Sequence, residues 1–464
     1  LQRQHLAVVG LVVVAAEVQD TVHHRLGEVG GVLRADDDIS ELARAGARPR
    51  SVDREGEDVG GPVPPAMLAV ELADLISADE LEREVAVIDP GRVQRRRHRR
   101  VEVGRDVVAH VHPSGKEQRP PVARTRVEGA FTALAAGDAL GWPQEFINRK
   151  HRVQPTTSFR DWERRGGGRF YPHTEIIRAG EYSDDTQLTL AVARSRLTAG
   201  SAWWQHFTRN ELPLWTLYER GGGGATKRAA ASWLRGLAPW KQPDAEAVGR
   251  YFEAGGNGVA MRVLPHAVFH ADADEPAAML KDVVVDGAAT HGHPRSLVGA
   301  AAYAYGAWWL LRTQHTVGFG ELLTVLLDTS STWGLPPVAS STKNGWLEAA
   351  DNALRDYEGR WAAVVEEMRQ LLHLGLKGLE EGVLANDDAV LERMGAFSRE
   401  KGSGTISAAA AIYLAARYAT QPTQGVLRAA FALGSDTDTI AAMTGGLVGA
   451  LGGADLLAPE WAGV

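Results

Sequence analysis

Cysteine is absent from this 464-residue chain. Its absence excludes disulfide bonds and thiolate metal ligands, and it is typical of cytoplasmic proteins, so we expect a cytoplasmic location. Long apolar runs are scarce as well. The stretch Leu6–Ala16 is too short for a transmembrane helix; its length fits the hydrophobic part of a signal peptide, but only Arg3 precedes it. We therefore predict neither secretion nor a membrane partner.

The first quarter of the chain lacks large rings and is almost without lysine. The chain has 13 Trp, 9 Tyr and 10 Phe, yet none of them precedes Phe131, and the first lysine is Lys116. Because aromatic side chains supply much of the area that a core buries, this segment has poor material for close packing. Its arginine tract, residues 95–100, could bind phosphates but is more typical of a solvated charge run. We interpret residues 1–122 as a weakly ordered extension, or as a segment that is not a genuine domain.

Excess positive charge is also lacking. The chain has 50 Lys and Arg against 58 Asp and Glu, a formal net charge of -8. This balance argues against a general nucleic-acid or membrane-surface binder, and we expect no stable nucleic-acid partner. The hydrophobic content of 44% is enough for a sizeable core in residues 123–464. The sequence does not indicate the oligomeric state.

No run of alternating apolar and polar residues indicates a β-sheet, whereas apolar residues recur at helical spacing. The aromatic stripe around Trp203 and Trp215 predicts core packing, and residues 148–180 read as a long loop. Helices are predicted from Val127 to a glycine and proline break at 137–146, at 184–197, at 259–270, from Thr290 onward, and at 319–327, 347–354, 361–374, 407–419, 425–433 and 437–451. We find no internal repeat. The prediction is a compact, orthogonal, multi-helix all-α domain.

Two acidic clusters stand at predicted helix starts. Asp436, Thr437, Asp438 and Thr439 precede a small-residue helix, and their polar groups are costly to bury without a partner. Oxygen donors without Cys or His favour Mg²⁺, Mn²⁺ or Ca²⁺ over zinc. A simple helix N-cap is the alternative, since Asp and Thr are common there.

The second cluster has the same composition. Ser183, Asp184, Asp185 and Thr186 precede another apolar run, and adjacent carboxylates on a helical turn diverge by roughly 100°. The two Asp side chains could therefore face different ions, or one could bridge two. Two such clusters in one chain favour a metal site over coincidence.

Three further stretches contain candidate groups. At the glycine and proline break, Asp138 reads as a structural cap and Glu145 as the better candidate for chemistry. Gly255-Gly256-Asn257-Gly258 precedes a predicted helix and could present N–H groups to a diphosphate, although a plain turn is the commoner meaning. The pair His291 and His293 could bind metal, but substrate contact or a cap is favoured, because no third nitrogen ligand accompanies it.

Five of these motifs, taken in the order in which they occur along the chain, resemble the ADP-ribosylglycohydrolase family. That family includes the dinitrogenase reductase-activating glycohydrolases and the ADP-ribose-acceptor hydrolases. The resemblance covers roughly residues 122–457. Ser183 stands where many relatives have Thr, and Ser435 where Gly is usual. The motifs are Gly137-Asp138-x-x-Gly141-x-x-x-Glu145, Ser183-Asp184-Asp185-Thr186, Gly256-Asn257-Gly258-x-Ala260-Met261-Arg262, Thr290-His291 and Asp436-Thr437-Asp438-Thr439.

The resemblance implies an all-α hydrolase with two Mg²⁺ or Mn²⁺ ions that cleaves the bond between ADP-ribose and an acceptor. It implies an ADP-ribosylated substrate, or ADP-ribose itself, as partner. The implied metal ligands are Ser183, Asp184, Asp185, Asp436, Asp438 and Thr439. The implied substrate contacts are Gly256, Asn257, Gly258 and His291.

Glycosidic cleavage passes through positive charge at the anomeric carbon, so a nearby carboxylate could activate water or stabilise that charge. Asp185, Glu145 and Asp184 are the candidates, and the sequence does not assign the base among them. Two alternatives stay open. The chain could hydrolyse another nucleoside-diphosphate or glycoside conjugate, or it could be an inactive ADP-ribose-binding or structural homologue.

Overall fold

A computed structural model describes residues 122–166, 172–339, 342–343, 345–380, 382 and 385–463. The predictions for the N-terminal extension, including its apolar run and its arginine tract, lie outside these residues. Among the described helices, none combines the length and the apolar character needed to cross a bilayer.

The described part of the chain is built from helices, as predicted. One antiparallel hairpin, β1 (Trp162–Gly166) paired with β2 (His173–Ile177), lies in residues 148–180. The prediction of a structureless loop was therefore wrong there, because the two strands are short and lack a clean apolar alternation. The helices are α1 (Arg124–Glu145), α2 (Asp184–Ala199), α3 (Trp203–His206), α4 (Leu212–Trp215), α5 (Gly224–Leu234), α6 (Ala245–Phe252), α7 (Leu264–Phe269), α8 (Ala277–Ala288), α9 (Pro294–Arg312), α10 (Glu321–Asp328), α11 (Ser330–Trp333), α12 (Trp346–Leu354), α13 (Tyr357–Leu379), α14 (Asp387–Arg393), α15 (Gly404–Arg417), α16 (Pro422–Ala430) and α17 (Thr437–Gly452).

Helices α1 and α17 pack against each other through small residues spaced four apart. A β-carbon on Gly137 would lie 2.3 Å from the carbonyl oxygen of Ala441, and one on Gly141 would lie 2.3 Å from that of Thr437. Further along, one on Gly445 would lie 2.0 Å from the carbonyl oxygen of Ala133. The numbers rise on one helix as they fall on the other, so the helices are antiparallel with their backbones in contact.

This packing corrects the prediction that glycine and proline break the first helix. α1 continues through Gly137, Gly141 and Pro143 to Glu145. The glycines permit the close approach of α17, which local helix propensity does not reveal. Pro143 lacks the N–H group of a helical hydrogen bond, but it lies near the end of the helix, where few helical residues follow it. The continuous helix carries Glu145 to the start of α17.

Helix α2 begins against the middle of α1. The Asp138 carboxylate is fully buried and accepts hydrogen bonds from the Ser183 and Thr186 amides, both at 3.0 Å, and from the Thr186 hydroxyl at 2.7 Å. It therefore satisfies amide groups that a helix N-terminus leaves unpaired. Asp138 acts as the structural cap that the sequence indicated, but it caps a different helix from its own.

Other boundaries differ from the prediction in one important place. The predicted helix 259–270 is a tight helical turn, Ala260–Arg262, followed by the short α7.

Trp203 and Trp215 are buried, as expected for core residues. An extended aromatic cluster fills the space between α3, α6 and α12, with neighbouring ring centroids 4.8–6.0 Å apart from Trp204 to Trp346.

Candidate active site

A cavity of about 340 Å³ lies where the starts of α2 and α17 meet the end of α1. The cavity is polar, and most of the residues singled out in the sequence border it. Its lining includes Glu145, Asp184, Asp185, Gly256, Asn257, Gly258, His291, Asp436, Asp438 and Thr439. The fold thus brings these five separate segments of the chain to one cleft.

Among the predicted metal ligands, Ser183 is the exception, because it is buried and is not part of the cavity lining. It is the N-cap of α2, and its hydroxyl oxygen accepts a hydrogen bond from the Asp185 amide at 3.3 Å. The same hydroxyl lies 3.3 Å from Asp185 Oδ2. The N-cap interpretation is therefore correct for Ser183, while the two carboxylates after it border the cleft.

Asp185 connects the two acidic clusters. Its Oδ2 atom accepts a hydrogen bond from the Thr439 hydroxyl at 3.3 Å, across 254 positions of sequence. Its Oδ1 atom is buried and has no hydrogen-bond partner among the described residues. A buried carboxylate oxygen without a partner is costly, so this atom indicates a position for a positive group.

Like charges and burial act together on the acids of the cleft. Burial, followed by the charge of Asp138, raises the pKa of Asp184 to about 8. Burial and neighbouring carboxylates also raise the pKa of Asp185 and of Asp438 well above the ordinary range. Burial and the charge of Asp436 raise the pKa of the half-buried Glu145. Without a cation, the cleft therefore resists full ionisation.

Burial and, after it, the neighbouring carboxylates predict a pH-dependent stability of the metal-free protein. The folded-state pKa of Asp184 is raised from 3.8 to about 8, so the folded state holds the proton more tightly and its stability falls as the pH rises through that range. From about pH 6 to pH 8 we expect a loss on the order of 2 kcal/mol, measured by urea unfolding in chelator. Asp184→Asn should show a smaller loss, and an equal loss in both proteins would contradict the assignment.

The donor chemistry of the cleft fits a divalent cation. Carboxylate and hydroxyl oxygens are the ligands that Mg²⁺ and Mn²⁺ prefer, and Asp185 Oδ1 requires a partner. As they stand, no three His, Cys, Asp or Glu side chains of the described residues are grouped so that they could hold an ion. The predicted metal ligands therefore stay a prediction.

The glycine turn 255–258 is held differently from the prediction. The backbone N–H of Asn257 donates to the Gly402 carbonyl oxygen at 2.9 Å, and the backbone N–H of Gly404 donates to the Gly255 carbonyl oxygen at 3.0 Å. The Asn257 N–H group is thus already paired, and no long helix follows the turn. A β-carbon on Gly256 would meet nothing closer than 3.6 Å, whereas one on Gly258 would lie 3.0 Å from the His291 ring, so close approach is required at Gly258.

The Asn257 side chain joins this turn to the second acidic cluster. Its Nδ2 atom donates to Asp436 Oδ2 at 2.8 Å and to the Ser407 hydroxyl at 3.0 Å. Asp436 occupies the N-cap position of α17 but makes no capping hydrogen bond with its side chain. Asn257 therefore fixes the orientation of one carboxylate at the cleft wall.

The two histidines of the 290s have different positions. His293 caps α9, because its Nδ1 atom accepts the Arg295 amide at 3.1 Å. His291 lies in the cleft lining, and its pKa is lowered to about 3 by burial and then by the charges of Arg262 and Arg228. His291 is consequently neutral at physiological pH.

One part of the lining was missed from the sequence. Gly221, Gly223, Gly224, Ala225 and Thr226 also border the cavity. The four consecutive glycines at 221–224 do not match a phosphate loop, because no Gly-Lys-Ser or Gly-Lys-Thr ending follows them. The informative signal is the backbone freedom of glycine, since Gly221 has φ +89° and its β-carbon would lie 3.2 Å from Asp184 Oδ1.

Comparison with known proteins identifies the family of the chain. The family model of ADP-ribosylglycohydrolase matches residues 119–464, which is most of the chain. The chain belongs to the ADP-ribosylglycohydrolase family. The match includes every cleft residue described above and begins close to the predicted boundary at residue 122.

Individual relatives match parts of this family domain. The ADP-ribosyl-[dinitrogen reductase] glycohydrolase of Rhodospirillum rubrum is 31% identical over 180 residues, 38% of this chain and 54% of the relative. The ADP-ribosylarginine hydrolase Tri1 of Pseudomonas putida is 30% identical over 160 residues, 32% of this chain and 38% of the relative. The matched stretches thus span about half or less of these two proteins.

Longer matches are more distant. The uncharacterized protein YegU of Escherichia coli is 26% identical over 345 residues, 72% of this chain and 90% of the relative. A solved structure titled ADP-ribosylglycohydrolase-related protein complex aligns with 73% of this chain and 90% of its own at 22% identity and a TM-score of 0.44.

Proposed function

We propose that this family member hydrolyses the glycosidic bond between ADP-ribose and an acceptor, reversing ADP-ribosylation in a reaction that depends on Mg²⁺ or Mn²⁺. The observation that carries the proposal is the contact of Asp185 with Thr439 at 3.3 Å, while the other carboxylate oxygen of Asp185 is buried without a hydrogen-bond partner in the described part of the chain. An inactive structural domain gains nothing from clustering carboxylates at this cost. Clustered carboxylates are useful in a cleft that binds cations and a sugar.

Glu145 is the residue that we propose as general base. It borders the cavity at the end of α1, is half-buried, and takes no part in capping α2 or α17. Its raised pKa brings it closer to neutral pH, where a base is most effective, and the negative cleft can stabilise positive charge at the anomeric carbon. As the water oxygen bonds to the anomeric carbon and the bond to the acceptor breaks, the water proton would pass to Glu145 and from there to the departing acceptor.

The residues that we propose would hold the cations are Asp184, Asp185, Asp436, Asp438 and Thr439. Ser183 would fix Asp185 through the hydrogen bonds between them. In such a donor set, the chemistry that a pair of divalent cations supplies is a lowered pKa of water and the orientation of ribose hydroxyls. The protein residues contribute the rest. They fix the carboxylates at the two helix starts and keep the site partly closed to solvent.

A substrate panel tests the proposal. The protein is incubated with ADP-ribosylated arginine, serine and nucleic-acid substrates, and released ADP-ribose is quantified by mass spectrometry. ADP-ribosylarginine comes first because that acceptor is named in the Pseudomonas putida relative. We expect release that requires Mg²⁺ or Mn²⁺ and stops on adding chelator.

Glu145→Gln supplies the matched comparison within the panel. It removes the proposed base and should reduce release by about 10²- to 10⁴-fold, the usual contribution of acid–base catalysis. Glu128→Gln changes a side chain paired with Arg124 at the far end of the same helix and should leave release unchanged. If no ADP-ribose were released but an added conjugate of another nucleoside diphosphate were hydrolysed, the first alternative from the sequence would be favoured. Binding of ADP-ribose without any turnover would favour an inactive homologue.

A further inference from the structure

A set of buried polar residues leads from the interior to His291 in the cleft wall, and the proposed reaction does not use it. Arg262, His266 and Asp286 are fully buried, and Thr290 is almost so. Buried charged groups of this kind are retained only when their hydrogen bonds are satisfied. Their hydrogen bonds fix where the ring protons of two histidines lie.

Arg262 is the centre of the set. Its Nε atom donates to Asp286 Oδ1 at 2.8 Å, and its Nη1 atom donates to the Gly258 carbonyl at 2.6 Å. Its Nη2 atom donates to the Thr290 hydroxyl oxygen at 2.9 Å. One guanidinium group therefore holds both the glycine turn and the residue that precedes His291.

Thr290 has two polar side-chain partners among the described residues, Arg262 and His291. A guanidinium only donates hydrogen bonds, so the Thr290 oxygen accepts from Arg262. Its own hydrogen then has one acceptor within reach, the Nδ1 atom of His291 at 2.8 Å. If Nδ1 carried the proton instead, the buried threonine hydrogen would be left unpaired, which is costly.

The same logic applies on the other side of Asp286. Arg196 Nη2 lies 2.7 Å from His266 Nδ1, and a guanidinium cannot accept, so Nδ1 of His266 is the acceptor. Nε2 of His266 then carries the proton and donates to Asp286 Oδ2 at 2.7 Å. His266 is thereby fixed in the same way by independent contacts.

We propose that Arg262 and Thr290 are positioning residues that hold His291 with its proton on Nε2, so that the ring offers a neutral hydrogen-bond donor to an oxygen of the ligand. Among the described residues Nε2 has no hydrogen-bond partner, and the ring borders the cleft beside Gly256 and Gly258. The inference rests on the proposed function only for the identity of the ligand. The position of the proton is a property of the free protein.

This assignment determines what His291 can do. A ring that already carries its proton on the cleft side cannot remove a proton from water there, so His291 is excluded as general base. A donor selects an acceptor, so the atom that meets Nε2 is a phosphate or hydroxyl oxygen of ADP-ribose. The role is binding and orientation of the ligand.

Nitrogen NMR of the histidine rings tests the inference without any substrate. Long-range ¹H–¹⁵N spectra distinguish protonated from unprotonated ring nitrogens, and His291→Phe identifies the His291 signals. We expect an unprotonated Nδ1 and a protonated Nε2 in the wild-type protein at neutral pH. A protonated Nδ1 would overturn the inference and leave the proposed function intact.

Thr290→Val and Thr290→Ser provide the second measurement. Valine removes the hydroxyl at similar volume, so His291 should become a mixture of both proton positions, and ADP-ribose binding measured by calorimetry should weaken about 2- to 12-fold, as for one lost hydrogen bond. Serine keeps the hydroxyl and should restore both. If serine and valine gave the same spectra, Thr290 would not direct the proton. If the spectra agreed with expectation but no substrate were hydrolysed, the proposed function would be wrong and the proton position of His291 would stand. If Thr290→Val did not fold, the wild-type and Thr290→Ser spectra would still show where the His291 proton lies.

Discussion

Replacing Asp438 with asparagine is expected to reduce hydrolysis on the order of 10³-fold while leaving the metal-free protein at least as stable as the wild type. Asp438 is buried, and its Oδ1 atom accepts the Thr439 amide at 2.9 Å, a hydrogen bond that an asparagine oxygen can also accept. Burial, then Asp436, Asp185 and Glu145, raise its pKa well above the ordinary range. Removing the charge relieves this repulsion, but it also weakens the attraction for a cation.

Three measurements separate these effects. They are the rate of ADP-ribose release, the melting temperature in chelator, and the rise in melting temperature on adding Mg²⁺ or Mn²⁺. Asp455→Asn is the control, since Asp455 is exposed in the turn after the same helix and borders no part of the cavity. An unchanged rate in Asp438→Asn would remove Asp438 from the proposed ligand set.

Gly137→Ala is expected to destabilise the protein by about 3 kcal/mol, the upper part of the range for overpacking. The new methyl group would lie 2.3 Å from the Ala441 carbonyl oxygen, and backbone atoms cannot rotate away as a side chain can. α1 and α17 would have to separate, which would also move Glu145 relative to Asp438. Activity should therefore fall even where the variant remains folded.

Gly249→Ala is the matched control for this change. Gly249 lies inside α6, and a β-carbon there would meet no atom of the described residues within 4 Å. The same substitution should stabilise the protein by about 0.5–1 kcal/mol, because alanine loses less backbone entropy on folding. Both variants are compared by urea unfolding. Equal stability of the two would mean that the helices are not in backbone contact at Gly137.

The sequence by itself determined the type of the fold and indicated most of the candidate residues that line the cleft. Helical spacing and cap residues are local properties, so the starts of α2 and α17 were predicted within a residue. The density of Asp and Thr at those starts indicated the candidate ligands for the same reason. The ordered motifs then indicated the family, which the comparison confirmed.

The tertiary structure decided everything that depends on residues far apart in the chain. Gly137 and Gly141 read locally as helix breakers, and only the approach of α17 explains why α1 continues through them. The sequence leaves the backbone N–H group of Asn257 available for an anion, but in the fold this group donates to the carbonyl oxygen of Gly402, 145 positions away. The hydrogen bond from Arg262 to Thr290, and hence the proton position of His291, depends on a turn between helices. Helix propensity does not predict the geometry of that turn. The physical reason is the same in each case: local preferences act over about one helical turn, whereas these contacts join segments that meet only after the helices have packed.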